Sequence, residues 1–391
     1  MTVSNTTAFL SPLPLHPKSS SPSTSISKTT ARRQQLFRCA VAAPSHAFAP
    51  DPYNSNPQSS VFNPLPNRQH ITTPSLPANP YRLTVVSSES QRLETIFASV
   101  RDIISRTQGA VREWRTLSST ALDASALLPS TIDLDAFRTQ LYRTGRHLAA
   151  DVIVQEESLA RCPKRLAVFD LDSTLIAQET IDELASELNV QNEVKAITHR
   201  AMNGEIAFRD ALSERVSLLK GLPLKALDGV KNRVVFTPGA AELIRALKAM
   251  GCQTAVVSGG FHFLADHVRE VLNLDYAFAN RLEVDKHHVL TGRTVGEIVD
   301  AEYKERTLQM LAERLSLDAE QVLAVGDGSN DLLMMHRAGL GVAFNAKPSV
   351  QDRAKFRVNQ RSLVDVLYLL GLSQDQIQQL VGTGQSRVPQ S

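Results

Sequence analysis

Cysteine, net charge and long apolar runs are all scarce in this chain. Three of its 391 residues are cysteine and no two form a CxxC pair, so the sequence indicates neither a disulfide framework nor a zinc site. The formal net charge of +2 gives no indication of a nucleic-acid partner. No apolar run approaches the ~20 residues that span a bilayer. We therefore expect a soluble, cytoplasmic protein without a membrane partner.

Residues 1–78 also lack most acidic side chains. Asp51 is the only acid before Glu89, whereas six Lys and Arg residues and most of the prolines fall in this stretch. Such a composition buries too little apolar area to offset chain entropy, so we predict a disordered extension. Acid-poor, Ser-rich N-termini are also typical of organellar targeting peptides. Organellar import is the alternative, and the absence of a clean amphipathic helix before Arg32 favours the cytosol.

Residues 79–160 predict a small α+β module that carries no chemical motif. Tyr81–Val86 and 150–154 have the composition of strands. Apolar residues recur at helical spacing from Leu93 to Ile104 and again over 134–147. A scaffold or dimerisation role is favoured over ligand sensing, and a homodimer is one state that the sequence allows.

From Lys164 onward, predicted strands and helices alternate. Strand patterns end at Ser258, Val325 and Ala343, with helical patterns between them. This alternation is typical of an α/β fold with a doubly wound, Rossmann-like parallel sheet, which binds ligands beyond the carboxyl ends of its strands. Residues 178–235 are helical throughout and predict an inserted cap over that edge. The sheet domain is expected over 161–373, and 374–391 predicts a polar tail.

Two acids, Asp170 and Asp172, lie in the stretch 169–175, which follows the apolar run 165–168. Carboxylates at i and i+2 leave an extended strand on the same side. Each ionised group needs a partner to offset its desolvation, and a divalent cation is the usual one. The structural alternative is that one acid merely caps the next helix. A nucleophile beside a proton donor is the chemistry that such a pair can perform.

A second acidic cluster, 326–331, follows another predicted strand, so Asp327 would face the first pair. A glycine-rich turn with capping acids is the alternative, but two such clusters at one sheet edge predict Mg²⁺, which prefers hard oxygen ligands. Ser258 precedes Gly259-Gly260, where a hydroxyl and backbone N–H groups can bind an anion. Lys304 alone is more typical of a solvated surface group.

Taken together, these segments resemble the four motifs of the haloacid dehalogenase-like phosphatases. The motifs are Asp170-Leu-Asp-Ser-Thr, Ser258-Gly-Gly, Lys304 and Gly326-Asp-Gly-Ser-Asn-Asp. Flanking stretches, among them Glu179-Thr-Ile-Asp-Glu-Leu-Ala and Val257-Ser-Gly-Gly-Phe-His, resemble the phosphoserine phosphatase family in particular. The resemblance covers about 164–371. The 79–160 module is only faintly similar to amino-acid-binding, ACT-like domains.

This resemblance implies Mg²⁺-dependent hydrolysis of O-phospho-L-serine, the last step of L-serine biosynthesis. Asp170 would attack phosphorus to form an aspartyl-phosphate, and Asp172 would transfer the proton. Asp170, the backbone carbonyl of Asp172 and Asp327 would hold the metal, while Asp331 would orient metal waters or Lys304. The phosphoryl oxygens would be bound by Ser258, Gly259, Lys304 and Asn330.

The resemblance also implies a binding site for the serine part of the substrate. Glu179 would bind its ammonium and Arg215 its carboxylate, and Met202 and Phe208 would form an apolar wall. Without the resemblance, Glu179 would be interpreted as a helix cap and Arg215 as half of a surface ion pair.

Two other functions compete with this one. The first is a phosphatase of the same superfamily that acts on another small phosphomonoester. The second is a non-catalytic amino-acid sensor, against which the intact acids Asp170, Asp172 and Asp327 argue. The pair His287-His288 suggests a metal site, but its position between two strand patterns favours a solvated hairpin turn.

Overall fold

The computed structural model describes residues 77–383. The predicted extension therefore lies outside the described residues except for its last two positions, and so does 384–391 of the predicted tail. Within residues 77–383, no helix is long and apolar enough to cross a membrane.

The first sheet is built from a β-α-β-β-α-β run. Its elements are β1 (Ala78–Ser87), α1 (Leu93–Arg106), β2 (Ala110–Ser118), β3 (Ala121–Pro129), α2 (Leu134–His147) and β4 (Ala150–Glu156). The strands are antiparallel in the order β2-β3-β1-β4. Both helices bury apolar residues against one face of this sheet. We call residues 78–156 the N-terminal module.

Two strands of the module were not expected from the sequence, whereas β1, β4 and both helices were. In β2, five consecutive residues from Arg112 to Thr116 are exposed, so the strand lacks an alternating apolar pattern. In β3, alanine is frequent, and alanine favours helices over strands. Pairing with β1 on one side and β2 on the other decides the structure of β3.

The short helix α3 (Glu157–Arg161) leads into the second sheet. Its strands are β5 (Leu166–Phe169), β6 (Gln253–Phe261), β7 (Tyr276–Val284), β8 (Leu290–Val295), β9 (Val322–Gly326), β10 (Leu340–Phe344) and β11 (Phe356–Val358). They lie in the order β11-β10-β9-β5-β6-β7-β8. All neighbours are parallel except β8, which is antiparallel to β7. The predicted parallel sheet is confirmed, with β5 at its centre.

A helical insert, residues 176–236, separates β5 from β6. It contains α4 (Thr180–Ser186), α5 (Gln191–Met202), α6 (Phe208–Ser217) and α7 (Ala226–Asn232). Its two ends meet in an antiparallel bridge between Ile176 and Phe236. The insert packs an apolar cluster that includes Leu184, Val194 and Val216 and extends to Phe261 of β6 and Leu290 of β8. It therefore packs on the second sheet as well as being joined to it at its two ends.

The remaining helices are α8 (Ala240–Ala249), α9 (His262–Leu272), α10 (Ala301–Arg314), α11 (Leu332–Arg337), α12 (Pro348–Gln351), α13 (Asp365–Tyr368) and α14 (Gln374–Thr383). They cover both faces of the second sheet. Alternate residues of β5 show this, because Phe169 lies in the cluster with α8 and α9, while Val168 lies in the cluster with α10 and α11. Since both faces are covered, the carboxyl edge is where a ligand can reach this sheet.

The end of the described chain differs from the predicted polar tail. Its first ten residues form α14, in which Ile377 is 3% exposed. Apolar residues at Ile377, Leu380 and Val381 have helical spacing and pack on the apolar cluster that includes α8. Ser373 accepts a hydrogen bond from the Gln376 amide at 3.3 Å and caps the helix.

The N-terminal module packs directly on the second sheet's body. Val86, Ala121 and Ile153 lie in the same buried cluster as Val366 and Leu369. Polar contacts join the same surfaces. The Gln155 amide donates to the Leu369 carbonyl at 2.8 Å, and the Asp151 carboxylate accepts from the Asn359 amide at 2.7 Å.

Candidate active site

A cavity of about 260 Å³ lies between the carboxyl ends of β5, β6 and β9 and the helical insert. Ten of the twelve predicted site residues line it: Asp170, Asp172, Glu179, Met202, Phe208, Arg215, Ser258, Gly259, Asp327 and Asn330. The other two, Lys304 and Asp331, are 0% exposed; Lys304 contacts Asp170, and Asp331 contacts Lys304. Residues from widely separated parts of the chain therefore meet at one sheet edge.

Asp170 is fixed at the end of β5 by bonds to only one of its oxygens. Its Oδ1 accepts from the Leu171 amide at 2.7 Å and from the Lys304 ammonium at 2.8 Å. Its Oδ2 has no hydrogen-bond partner among residues 77–383. Because the residue lines the cavity, this oxygen is available to an electrophile or a cation there.

Lys304 is a buried cation between two carboxylates, so the interpretation as a solvated surface group is wrong. It lies in the first turn of α10, and its ammonium is 2.7 Å from Oδ1 of Asp331 as well as 2.8 Å from Asp170. Burial lowers the pKa of Lys304, but the charges of Asp170 and Asp331 outweigh this and raise it above its usual range. Lys304 thus holds its proton across the physiological range.

Asp170, Asp327 and Asp331 form an acidic triad. One ligand oxygen from each lies within 4.8 Å of the others, and all three residues are buried. Burial, followed by the charge of Asp170, raises the pKa of Asp327 to about 7. The same two causes raise the pKa of Asp331. Carboxylates crowded in this way need a cation, and their hard oxygen donors suit Mg²⁺.

Asp331 is already engaged through both of its oxygens. Oδ1 accepts from Lys304, and Oδ2 accepts from the Gly328 amide at 2.9 Å. The interpretation as a turn with a capping acid is therefore correct for Asp331. Among residues 77–383, the Asp327 carboxylate has one hydrogen-bond partner, Thr174, whose hydroxyl donates to it at 3.1 Å. Of these two acids, Asp327 is the freer to accept a metal ion.

Asp172 lies beside Asp170 and is held by the insert. Its Oδ1 accepts from the amide of Thr180 at 3.2 Å and also from the Thr180 hydroxyl. This contact caps α4, as the structural alternative for the acid pair anticipated. Burial, and then the charges of Glu179 and Asp170, raise the pKa of Asp172 well above its usual value. A carboxyl group with a raised pKa is suited to donate a proton.

A bulge near the end of β6, residues 258–260, brings small groups close to this carboxyl. The Ser258 hydroxyl accepts from the Gly260 amide at 2.8 Å. A Cβ atom at Gly260 would lie 2.6 Å from Oδ2 of Asp172, so glycine permits the close approach. Asn280 of β7 fixes the bulge from behind by donating to the Gly259 carbonyl at 2.8 Å. The bulge therefore brings Ser258 and the backbone of Gly259 to the cavity.

Two charged residues reach the cavity from the insert. Glu179 precedes α4 but does not cap it, and its carboxylate instead accepts from the Ser173 hydroxyl at 2.8 Å. Arg215 of α6 donates to the Ala211 carbonyl at 3.2 Å and has no ion-pair partner in residues 77–383. Neither alternative interpretation of these residues, helix cap or surface ion pair, describes what the structure has.

Apolar residues complete the insert side of the cavity. Phe208 begins α6 and Met202 ends α5. Phe208 and Arg215, seven residues apart, share one face of α6. Met202 is 62% exposed, so the wall is open to solvent at this point.

Sequence reasoning missed several residues at the site. Thr174 and Thr180 position the acids, Asn280 positions the bulge of β6, and all three are at most 1% exposed. Lys347, which follows β10, lines the cavity. Its place after a parallel strand was a signal, because the carboxyl ends of such strands share one edge. By contrast, His287 and His288 lie outside the cavity in the β7–β8 turn, where Asp285 accepts from the His287 amide at 2.8 Å.

Comparison with known proteins agrees with this geometry. The haloacid dehalogenase-like hydrolase family matches residues 167–336. A phosphoserine phosphatase from Archaeoglobus fulgidus is 48% identical over 240 residues, which cover 61% of this chain and 70% of the relative.

Solved structures give a similar result. A HAD-family hydrolase of Salmonella enterica serovar Typhi is 30% identical with a TM-score of 0.67, and the match covers 74% of this chain and 98% of that one. A phosphoserine phosphatase described as a phospho-aspartyl intermediate analogue is 44% identical with a TM-score of 0.50, and the match covers 53% of this chain and 98% of that one.

Proposed function

Because this chain belongs to the phosphoserine phosphatase family of haloacid dehalogenase-like hydrolases, we propose that it hydrolyses O-phospho-L-serine to L-serine and phosphate. The observation that carries the proposal is the pair Asp170 and Asp172, which line one cavity side by side just beyond the end of β5. The reaction would be the last step of L-serine biosynthesis. The described chain would then divide into an ACT-like module, 79–160, and a phosphatase domain, 161–373, with the insert as its cap.

Asp170 is the proposed nucleophile. Its Oδ1 is held by Lys304 and the Leu171 amide, while Oδ2 has no hydrogen-bond partner within residues 77–383, and the residue lines the cavity. Oδ2 attacks phosphorus, the bond to the seryl oxygen breaks, and an aspartyl-phosphate forms. The covalent route divides one difficult displacement into two easier ones. The solved relative described as a phospho-aspartyl intermediate analogue supports this route.

Asp172 is the proposed acid and base. Because its pKa is raised, the Asp172 carboxyl group can donate a proton to the departing seryl oxygen in the first step. The resulting carboxylate then takes a proton from the water that attacks the aspartyl-phosphate. Such transfers are typically worth about 10²–10⁴-fold in rate. Thr180 keeps Oδ1 in place, so Oδ2, which faces Gly260, performs the transfer.

The acidic cluster fits Mg²⁺. Asp170, Asp327 and the backbone carbonyl of Asp172 would hold the ion, while Asp331 keeps Lys304 in position. When bound, Mg²⁺ lets an anionic carboxylate approach an anionic phosphate and stabilises charge on the transferring group. The phosphoryl oxygens are bound by protein groups as well, namely Ser258, the Gly259 amide, Lys304 and Asn330.

Specificity for serine comes from the insert. Glu179 binds the substrate ammonium, and Arg215, which has no carboxylate partner in the described chain, binds the substrate carboxylate. A guanidinium forms a bidentate pair with a carboxylate, which fixes orientation as well as charge. Phe208 and Met202 cover the substrate and reduce its contact with water.

Phosphate release from a panel of phosphomonoesters tests the proposal. The panel contains phosphoserine, phosphothreonine, a sugar phosphate and p-nitrophenyl phosphate, each with Mg²⁺ and with EDTA. We expect the highest kcat/KM for phosphoserine and none above background with EDTA. A higher kcat/KM for another ester would identify a different phosphatase of the superfamily, and no release from any ester would favour the non-catalytic sensor.

Mg²⁺ affinity should depend on pH near 7. Without the ion, Asp327 has a pKa of about 7, so below that pH a proton occupies the carboxylate that the cation needs. Affinity should fall as pH decreases, by at most about tenfold per unit for one group, and level off above pH 8. Titration calorimetry in buffers of different ionisation enthalpy measures both affinity and proton release. In Asp327→Asn the Mg²⁺ affinity should drop and its pH dependence should disappear. If the Mg²⁺ affinity of the unaltered protein did not change between pH 5.5 and 8.5, the assignment of Asp327 would be wrong.

A further inference from the structure

Lys347 is a cation at the cavity that the proposed chemistry does not use. It lies between β10 and α12 and lines the cavity together with Asp327 and Glu179. The residue is exposed. Its ammonium makes no hydrogen bond or ion pair with any residue in 77–383. Its ammonium group is therefore available to an anion in the cavity.

The charges around the cavity make such a cation useful. Asp170, Asp172, Glu179 and Asp327 all line it, against Arg215 and Lys347 as the only lining cations in the described chain. Apart from Asp172, which the proposed mechanism requires to be protonated, these acids repel an approaching phosphomonoester dianion unless cations offset their charge. Burial and neighbouring carboxylates raise the pKa values of Glu179 and Asp327, and the charge of Lys347 opposes the shift in both. Lys347 is thus within electrostatic reach of the region that the substrate enters.

The backbone before Lys347 is tied to the N-terminal module. Tyr142 of α2 donates its hydroxyl to Oε1 of Gln351 at 2.6 Å. The same Gln351 side chain donates through Nε2 to the Ala346 carbonyl at 2.6 Å. Ala346 directly precedes Lys347. Two short hydrogen bonds therefore connect a module side chain to the peptide that carries this lysine.

The far end of this connection is also well fixed. Tyr142 is 9% exposed, and the Arg357 guanidinium lies 4.3 Å from the centre of its ring. The Arg357 side chain donates to the Gln351 carbonyl. The Tyr142 ring is held by Arg357, and Gln351 is held at Oε1, Nε2 and its carbonyl oxygen. These contacts restrict the movement of residues 346–351.

We infer that Lys347 is a further substrate-attracting residue of this site, and that the N-terminal module positions it through Tyr142 and Gln351. The inference rests on the proposed function, because it requires an anionic phosphomonoester as substrate. Lys347 attracts the net negative charge and does not recognise the serine part. It should therefore act equally on every dianionic ester, unlike Arg215.

Lys347→Met tests the first half of the inference. At about 10 mM ionic strength, where the Debye length is about 30 Å, we expect kcat/KM to fall about tenfold, mainly through KM, for both phosphoserine and p-nitrophenyl phosphate. At about 1 M the Debye length is about 3 Å and the loss should shrink to below about twofold. Lys286→Met, an exposed lysine of the β7–β8 turn outside the cavity, is the matched control and should change neither value.

Mg²⁺ binding without substrate provides a second measurement. Because Lys347 repels a cation near Asp327, the Lys347→Met protein should bind Mg²⁺ about two- to threefold more tightly by calorimetry. Loss of a merely structural residue would not tighten metal binding. Unchanged kcat/KM at low salt, a loss that is independent of salt, or weaker Mg²⁺ binding would each overturn the role of Lys347.

A double-mutant cycle tests the connection to the module. Tyr142→Phe keeps the ring beside Arg357 and removes only the hydroxyl that donates a hydrogen bond to Oε1 of Gln351. We expect KM to rise about two- to threefold in the native background and not at all in the Lys347→Met background, because coupled positions are not additive. Gln351→Met should behave in the same way. Additive effects in both cycles would overturn the positioning role.

These outcomes separate this inference from the proposed function. If the unaltered protein releases no phosphate from any ester, the proposed function has failed. If it is active and Lys347→Met equals it at every salt concentration, only the present inference has failed.

Discussion

Asp170→Asn should abolish Mg²⁺-dependent phosphate release from phosphoserine, with a fall in kcat of about 10⁴-fold or more. Asparagine has the shape of aspartate, but its amide cannot form the acyl-phosphate and is a poor metal ligand. The change also removes one of the two carboxylates beside Lys304, while Asp331 still pairs with it at 2.7 Å. The fold should therefore persist. Malachite-green detection of phosphate and a thermal melt measure the two effects separately.

The matched control for this change is Asp210→Asn. Asp210 is an exposed residue in the first turn of α6 and does not line the cavity. We expect its kcat and KM to equal those of the unaltered protein. If Asp170→Asn kept its native rate while melting normally, Asp170 could not be the nucleophile and the covalent mechanism would be wrong.

Arg215→Ala should cost about 10²–10³-fold in kcat/KM for phosphoserine, which corresponds to about 3–4 kcal/mol. The loss for p-nitrophenyl phosphate, which lacks a carboxylate, should stay below about threefold. The physical reason is that only phosphoserine offers a carboxylate to a guanidinium that otherwise has no ionic partner in residues 77–383. Steady-state kinetics on both esters give the ratio directly.

Arg200→Ala is the control for this second change. Arg200 lies on α5 and pairs with Glu214 at 3.0 Å outside the cavity lining, so its removal deletes an exposed ion pair of little value. Equal losses on both esters in Arg215→Ala would mean that Arg215 only supports the insert. The proposal of another small phosphomonoester would then be preferred.

The sheet-edge part of the candidate site was predictable because the same short pattern, a strand followed by polar residues, occurs several times in the sequence. The acids and the serine of the predicted site lie at strand ends, and parallel strands bring their carboxyl ends to one edge; the residues of the insert were implied only by the family resemblance. Asp170, Ser258 and Asp327 could therefore be placed together before any contact was known. The residue types added the chemistry, since two adjacent acids without partners require a cation or a proton.

The supporting residues were not predictable, because their roles depend on register and on packing. Nothing near Asn280 indicates that its side-chain amide will reach the Gly259 carbonyl on the neighbouring strand β6. Lys304 was also placed wrongly from the sequence. Its charge predicted a surface position, but ion pairs with two carboxylates stabilise it in the core. In β2, exposed residues on both faces removed the pattern that identifies a strand.

The shared apolar cluster between the module and the second sheet determines when this protein can finish folding during synthesis. Val86 belongs to the same buried cluster as Ile377, almost three hundred positions later in the chain. A ribosome releases the N-terminal end first, so β1 to β4 can pair early, while the face that carries Val86, Ala121 and Ile153 stays uncovered. That face is closed only after α13 and α14 have left the ribosome. The interval in between is when the chain is most vulnerable to aggregation.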